Sequence, residues 1–241
     1  MKRKTILIIL LITTILSGCA TPKSKVFDKF NELFLVTQTD DLETLELYDK
    51  EGYKIGGGVS ERDIWGILIE RHYETEENKI NMDLRYYFNK KTNDHYGTLE
   101  YSEIPIELLN ESEIEEKYKE EYPIKYENKT FVLVDDNIEE NRKKLFNQLV
   151  TFFNELTLTK EEFQKKKEKN ITYNPLAPIY GISYKMNEED KIYQLAKKIF
   201  DHVKLNEEKS LISFTRWTSQ GLSIYFDLET LNGISLYVYS E

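Results

Sequence analysis

The sequence contains one cysteine, Cys19, among its 241 residues. A single thiol forms no intramolecular disulfide and supplies no cysteine pair for a structural zinc site. The three histidines, His72, His95 and His202, are far apart in the sequence, and no two have a His-x-x-x-His spacing. We therefore predict no metal ligands and no cofactor. A metal site would have to assemble from carboxylates that the fold brings together.

Signatures of catalysis are missing as well. The sequence has neither the Gly-x-Ser-x-Gly elbow of α/β-hydrolases nor a Ser-x-x-Lys motif. The triplet Gly56-Gly57-Gly58 is not followed by the Lys and Ser or Thr that close a phosphate-binding loop. We predict no catalytic residues and no enzymatic activity. A hydrolase is an alternative, which would need a cleft of perturbed titratable groups.

Positive charge is scarce relative to negative charge. The chain carries 33 Lys and Arg against 43 Asp and Glu, a net charge of −10. Residues 1–18 hold three of the cations and no anion, so the remainder has 30 cations and a net charge of −13. Nucleic acids and anionic bilayer surfaces attract clustered cations. We therefore expect no nucleic-acid partner, and a folded body that stands off the membrane.

The N-terminal stretch has the order of a secretory signal peptide. Three cations, Lys2, Arg3 and Lys4, precede an uninterrupted run of apolar residues and threonines over 5–16. Small residues then lead to Cys19, which predicts a signal peptide over residues 1–18. The run is shorter than the ~20 apolar residues of a spanning helix. A buried strand with a structural cysteine would explain neither the basic start nor the charged sequence that follows.

The segment Leu16-Ser17-Gly18-Cys19 resembles the lipobox of bacterial lipoproteins. This resemblance implies that Cys19 becomes the first residue of the mature chain, with S-diacylglyceryl and N-acyl (palmitate-type) groups. Two acyl chains of roughly a dozen methylenes, at ~0.8 kcal/mol each, contribute on the order of 20 kcal/mol to anchoring. Residues 19–24 would then be the lipidated N terminus and tether, holding the protein at the extracytoplasmic face of the cell membrane.

The rest of the chain, 25–241, is expected to form a single α+β domain with antiparallel sheets of hairpins packed against several amphipathic helices. Apolar and polar residues alternate strictly over 80–88, and short polar turns join successive strands. Helical periodicity appears over 25–38, 138–156 and 187–203, and a short exposed helix is predicted over 111–121. A capping box at Thr159 predicts a further helix through Lys169. Three strands, near 211–217, 222–228 and 234–239, end the chain.

Four large aromatic residues are candidates for an exposed binding face: Trp65, Tyr173, Tyr180 and Trp217. Aromatic side chains of this size are usually highly buried, so packing in the core or on the sheet is the competing interpretation for most of them.

Several ordered landmarks are similar to the staphylococcal tandem-type lipoproteins, also called the conserved staphylococcal antigen family. They are the lipobox, the segment 47–53, Trp65, the segment 87–92 with Gly97, the segment 122–125, and Ile171-Thr172-Tyr173-Asn174-Pro175 with Pro178 and Tyr180. The chain departs from the family pattern over 59–63, and the part after Lys204 matches weakly. The resemblance implies an α+β surface lipoprotein, made in several paralogous copies and without an assigned enzymatic activity.

The function expected from this resemblance is host-cell contact, together with innate immune recognition of the lipidated N terminus. Its partners would be the membrane, through the covalent lipid, and a host protein or receptor. The alternative is a small-molecule binding lipoprotein that serves a transporter, for which an enclosed pocket lined by Tyr and Phe residues would be evidence.

Overall fold

The computed structural model describes residues 23–44, 64–89, 92, 94–109, 117–135, 137–174, 179–201, 203, 210–217, 221–229 and 232–240. Ten strands of this part of the chain form one sheet in the order β5-β4-β3-β2-β1-β10-β9-β8-β7-β6, with every neighbouring pair antiparallel. The strands are β1 Ile64–Glu74, β2 Asn78–Asn89, β3 His95–Pro105, β4 Lys119–Glu127, β5 Thr130–Leu133, β6 Glu168–Asn174, β7 Ile179–Lys185, β8 Leu211–Trp217, β9 Gly221–Glu229 and β10 Asn232–Ser240.

The sheet consists of two five-stranded meanders joined edge to edge. The first meander runs from β1 to β5 and the second from β6 to β10, so β1 and β10 pair at the centre. Their register places Trp65 opposite Ser240 and Arg71 opposite Ile234. The two halves of the chain are therefore held together by backbone hydrogen bonds as well as by the core.

The helices of the described chain are few and mostly short. They are α1 Lys23–Phe27, α2 Asn31–Val36, α3 Glu140–Glu155, α4 Lys160–Lys165 and α5 Lys191–Ile199, with 3-10 turns at Asp28–Phe30, Leu42–Thr44 and Ile106–Leu108. Only α3 exceeds nine residues. Its Leu145, Leu149 and Phe152 are buried, as the apolar stripe in the sequence predicts.

These helices pack on one face of the sheet. In β8, Phe214 contacts the rings of Phe27, Phe30 and Phe163, with ring centroids 4.7–6.2 Å apart. The ring of Phe152 in α3 meets Phe226 in β9 edge to face. Side chains of a strand alternate between the two faces, so the opposite face carries the other half of each strand. No described helix covers that face, which we call the open face.

The expected α+β class, with several amphipathic helices, is wrong. The described chain is mostly one antiparallel sheet of ten strands, accompanied by few short helices. The segment 25–38, with its helical aromatic spacing, is divided among α1, a 3-10 turn and α2. Part of the helix expected over 111–121 is strand, because β4 begins at Lys119 and pairs with β3.

The predicted helix from Thr159 ends early. The Thr159 hydroxyl accepts a hydrogen bond from the Glu162 amide, as a capping box requires, but α4 ends at Lys165. Strand β6 starts at Glu168, since the backbone here pairs with β7. The segment 165–169, predicted to be the end of this helix, thus contains the last residue of α4 and the first two residues of the edge strand β6.

Asn128 and Lys129 form the turn of the hairpin between β4 and β5. Both residues have positive φ, 52° and 66°. Two successive left-handed residues form the two-residue turn whose twist matches that of antiparallel strands. The turn joins β4 to β5 with Glu127 opposite Thr130.

Candidate functional site on the open face of the sheet

Three ionisable side chains meet at the centre of the open face. Glu70 and His72 lie two residues apart in β1, and Asp83 stands directly opposite Glu70 in β2. The three ligand-type atoms all lie within 4.8 Å of one another. Among the described residues, this is the only group of three His, Cys, Asp or Glu side chains that meets so closely.

Hydrogen bonds orient each member of the cluster. The His72 ring shares a hydrogen bond of 2.9 Å between its Nε2 and Asp83 Oδ1. The other Asp83 oxygen, Oδ2, lies 3.5 Å from the Arg85 guanidinium. Glu70 accepts hydrogen bonds from the Tyr237 and Ser235 hydroxyls of β10.

Burial and charge act on the pKa values of this cluster. Partial burial raises the pKa of the Glu70 carboxyl, and the nearby Asp83 charge raises it further. The hydrogen bond to Asp83 raises the pKa of His72, although desolvation of the ring opposes this shift. The His72 side chain is 44% exposed, so the cluster is open to small solutes.

A ladder of alternating charges continues from the cluster across β2, β3 and β4. The Arg85 guanidinium lies 3.3 Å from Glu100, and Lys119 lies 3.2 Å from Glu100 and 3.0 Å from Glu121. Partly exposed pairs of this kind contribute little to stability individually. Together they give the open face a patterned surface on which both signs of charge alternate.

Tyrosines complete the open face. The rings of Tyr87 and Tyr96 are stacked, with centroids 4.9 Å apart, and Tyr96 is 51% exposed. In β9, Tyr225 is 40% exposed and lies over Gly233, where an added Cβ would clash with the tyrosine ring and hydroxyl. Tyrosine combines a large apolar ring with a polar end, which suits it to surfaces that bind other proteins.

The four aromatic residues selected from the sequence do not form one exposed binding face. Trp65 is 4% exposed and lies on the helix-covered side of β1. Tyr180 is half-buried in β7 and stands opposite Tyr173 of β6, while Trp217 ends β8 opposite Gly221. The structure therefore makes Tyr173 and Tyr180 partners in the backbone pairing of β6 and β7, and it places Trp65 in the core.

The lipobox residues Leu16, Ser17, Gly18 and Cys19 lie outside the described residues. The signal peptide and the lipid on Cys19 therefore stay predictions from the sequence.

Sequence reasoning missed Glu70, His72 and Asp83 as a group. Spacing between histidines does not reveal the cluster, because the partner of His72 is an aspartate on the next strand, eleven residues away. The available signal was the alternation of β1 and β2, which places 70, 72 and 83 on one face once the hairpin register is known.

Comparison with known protein families identifies the family of this chain. The model of the Csa1 family matches residues 22–222, which is most of the sequence. The chain belongs to the Csa1 family. This membership confirms the resemblance to staphylococcal tandem-type lipoproteins. Two of the landmarks that carried the resemblance, the segments 122–125 in β4 and 171–174 in β6, lie in strands of the sheet.

Relatives of this Csa1 protein are named as lipoproteins. An uncharacterized lipoprotein of Staphylococcus epidermidis is 29% identical over 235 residues, covering 95% of this chain and 88% of the relative. One from Staphylococcus aureus strain USA300 is 28% identical over 208 residues, covering 81% and 77%. Another from strain MRSA252 is 24% identical over 231 residues, covering 92% and 86%. The predicted lipoprotein class agrees with these names.

Within the described residues, no helix is long and apolar enough to cross a membrane. Two clefts of about 520 and 540 Å³ open on the helical layer of the Csa1 protein. One follows α3 and reaches Ile199, and the other lies between the end of α3 and α5. Neither is lined by Tyr or Phe.

Proposed function

We propose that this protein is a lipid-anchored surface protein, without catalytic activity, that contacts a host-cell protein through its open face. Cys19 would carry the lipid that holds it at the extracytoplasmic side of the membrane, and innate immune receptors would recognise the lipidated N terminus. The open face carries the proposal, because it presents tyrosines among alternating charges on a rigid sheet.

The exposed tyrosines of the open face and the net charge of the chain support a protein partner. Tyr96 and Tyr225 are two of the four large hydrophobic side chains that are exposed in the described chain. Tyrosines dominate the energetics of many protein interfaces, and charges around them set orientation and partner choice. The net charge of −10 disfavours nucleic acid and anionic lipid as partners.

The alternatives have less support. A ligand-binding lipoprotein that serves a transporter would be favoured by an enclosed aromatic pocket, and the two clefts described above are open and lack aromatic linings. A hydrolase would need its titratable groups in a cleft, whereas Glu70, His72 and Asp83 lie on the open face.

Binding of the purified full-length protein to host cells tests the proposal. We expect saturable binding that falls at least about tenfold in affinity for the double variant Tyr96→Ala/Tyr225→Ala, since each truncation removes an interface aromatic. The matched control is Leu35→Ala, because Leu35 is 51% exposed but lies on α2, away from the open face. Its affinity should stay within about twofold of the unmodified protein.

A second variant separates the lipid from the folded body. Cys19→Ala should abolish membrane retention and innate immune signalling while leaving host-cell binding unchanged. Absence of saturable binding to every host-cell type tested would refute the contact function. Loss of all binding in Cys19→Ala would assign the contact to the lipid instead.

A further inference from the structure

The cluster of Glu70, His72 and Asp83 has the composition of a metal site. Carboxylate oxygens and imidazole nitrogens are common ligands of first-row divalent metals. Two ligand atoms bound to one zinc ion at about 2.0–2.1 Å lie at most about 4 Å apart. The three ligand atoms here lie within 4.8 Å of one another. Small rotations of these partly exposed side chains would therefore be enough to bring the three atoms around one ion.

We propose that Glu70, His72 and Asp83 bind a divalent first-row metal ion, of which Zn²⁺ is the representative, on the open face. This site is independent of the proposed host contact. Three protein ligands leave at least one coordination position open to water or to a donor atom of another molecule, because zinc is usually four-coordinate.

The surroundings of the cluster match the second shell of a metal site. Asp83 presents Oδ1 to His72 while Arg85 holds Oδ2, so one oxygen can ligate an ion without loss of the arginine contact. Glu70 receives hydroxyl hydrogen bonds from Tyr237 and Ser235. Outer hydrogen bonds of this kind fix the orientation of ligating carboxylates and tune metal affinity.

The charge balance of the cluster also favours a cation. Asp83 shares Arg85 with Glu100. Among the described residues, no Lys or Arg forms an ion pair with Glu70. Two carboxylates that face each other across β1 and β2 repel, and a divalent ion between them relieves this repulsion.

The ligands stand on two extensively paired central strands of the sheet. β1 and β2 pair over eleven positions, from Ile64 opposite Asn89 to Glu74 opposite Lys79, and both strands are flanked by further strands. Ligands on paired central strands are pre-positioned, so metal binding has little backbone to order.

The mixture of donors selects among metals. One imidazole with two carboxylates suits Zn²⁺ better than Mg²⁺ or Ca²⁺, which prefer all-oxygen sites with higher coordination numbers. We therefore expect Mn²⁺ to bind more weakly than Zn²⁺, following the general order of divalent affinities, and Mg²⁺ and Ca²⁺ more weakly still.

Calorimetric titration of the purified, metal-stripped full-length protein with Zn²⁺, Mn²⁺, Mg²⁺ and Ca²⁺ tests the site. We expect one Zn²⁺ per chain, with affinity at least about tenfold above that for Mg²⁺ or Ca²⁺. The variants His72→Gln, Glu70→Gln and Asp83→Asn should each weaken Zn²⁺ binding by at least about tenfold. The matched control His95→Gln removes a histidine from β3, outside the cluster, and should change affinity less than about twofold.

A measurement on the unmodified protein covers the case in which a variant fails to fold. Diethyl pyrocarbonate modifies accessible imidazoles, and His72 is 44% exposed. Mass spectrometry should show that Zn²⁺ protects His72 and leaves the modification of His95 unchanged. The proposal is overturned if Zn²⁺ binds without one-to-one stoichiometry, if folded His72→Gln retains full affinity, or if His72 modification is indifferent to Zn²⁺.

Discussion

Trp65 and Phe88 stack face to face across β1 and β2, with ring centroids 4.3 Å apart and an interplanar angle of 12°. Their backbones are also direct partners in the sheet. Phe88 is 1% exposed and Trp65 is 4% exposed. Trp65, one of the four residues considered for a binding face, therefore packs in the core.

Trp65→Ala should accordingly lower stability. We expect a loss of about 3–5 kcal/mol in the free energy of unfolding, because truncation of a buried aromatic leaves a cavity. Urea denaturation followed by far-UV circular dichroism measures it. The control is Tyr96→Ala on the open face, whose half-exposed ring stacks on Tyr87 and should cost only about 1 kcal/mol. Equal losses in the two variants would contradict the assignment of Trp65 to the core.

A buried ion pair provides the second prediction. Lys166, which follows α4, pairs with Asp190 at the start of α5, and Asp190 also accepts a 2.9 Å hydrogen bond from the Asn187 amide. Lys166→Met leaves the 8% exposed Asp190 carboxylate unpaired, so we expect a loss of about 3 kcal/mol. The double variant Lys166→Met/Asp190→Asn also removes the unpaired negative charge of Asp190, so it should recover part of this loss of stability. If the double variant is less stable than Lys166→Met, the unpaired charge is not the cause.

Buried tyrosines make the fold sensitive to alkali. Burial raises the pKa of Tyr101 and of Tyr184, and the hydrogen bond that Tyr101 donates to Glu103 raises the pKa of Tyr101 further. A tyrosine whose pKa is higher in the folded state contributes full stability below its unfolded pKa of about 10. That contribution is lost as the pH rises through and above about 10, since only the unfolded chain then releases the proton.

Urea midpoints measured from pH 8 to about 11 check this expectation, together with absorbance of tyrosinate. Stability should be flat up to about pH 9 and then fall. Tyr101→Phe should make the fall less steep, because one ionising group is removed. A fall of the same steepness in Tyr101→Phe would exclude Tyr101 from the linkage.

The sequence predicted those parts of the fold that depend on local pattern. Strict alternation located β2, and the polar turns located the hairpins, because both signals lie within a few residues. The pairing of β1 with β10 was not predictable in this way, since it joins Trp65 to Ser240 at opposite ends of the chain. Helical spacing of Phe27, Phe30 and Phe34 predicted their burial but not the interruption between α1 and α2, which tertiary packing decides.

The candidate site illustrates the same limit. His72 and Asp83 lie on neighbouring strands, and their meeting depends on a register that places His72 opposite Asn81 and Glu70 opposite Asp83. A shift of one residue would move one strand's side chains to the other face. Composition and the spacing of histidines contain no information on that register. The absence of a His-x-x-x-His spacing therefore could not exclude a cluster formed across two strands.

The turn between β4 and β5 gives a prediction of increased stability. Lys129 has φ of 66°, a conformation that costs a residue with a Cβ roughly 1 kcal/mol and glycine almost nothing. Lys129→Gly creates the Asn-Gly pair preferred in this turn, so we expect a gain of about 0.5–1 kcal/mol despite the greater freedom of glycine in the unfolded chain. Thermal unfolding measures the gain. Lys129→Ala is the matched control, because it removes the same exposed side chain but keeps the Cβ, and it should bring no gain. If both variants are stabilised equally, the benefit comes from loss of the lysine charge and not from relief of the backbone.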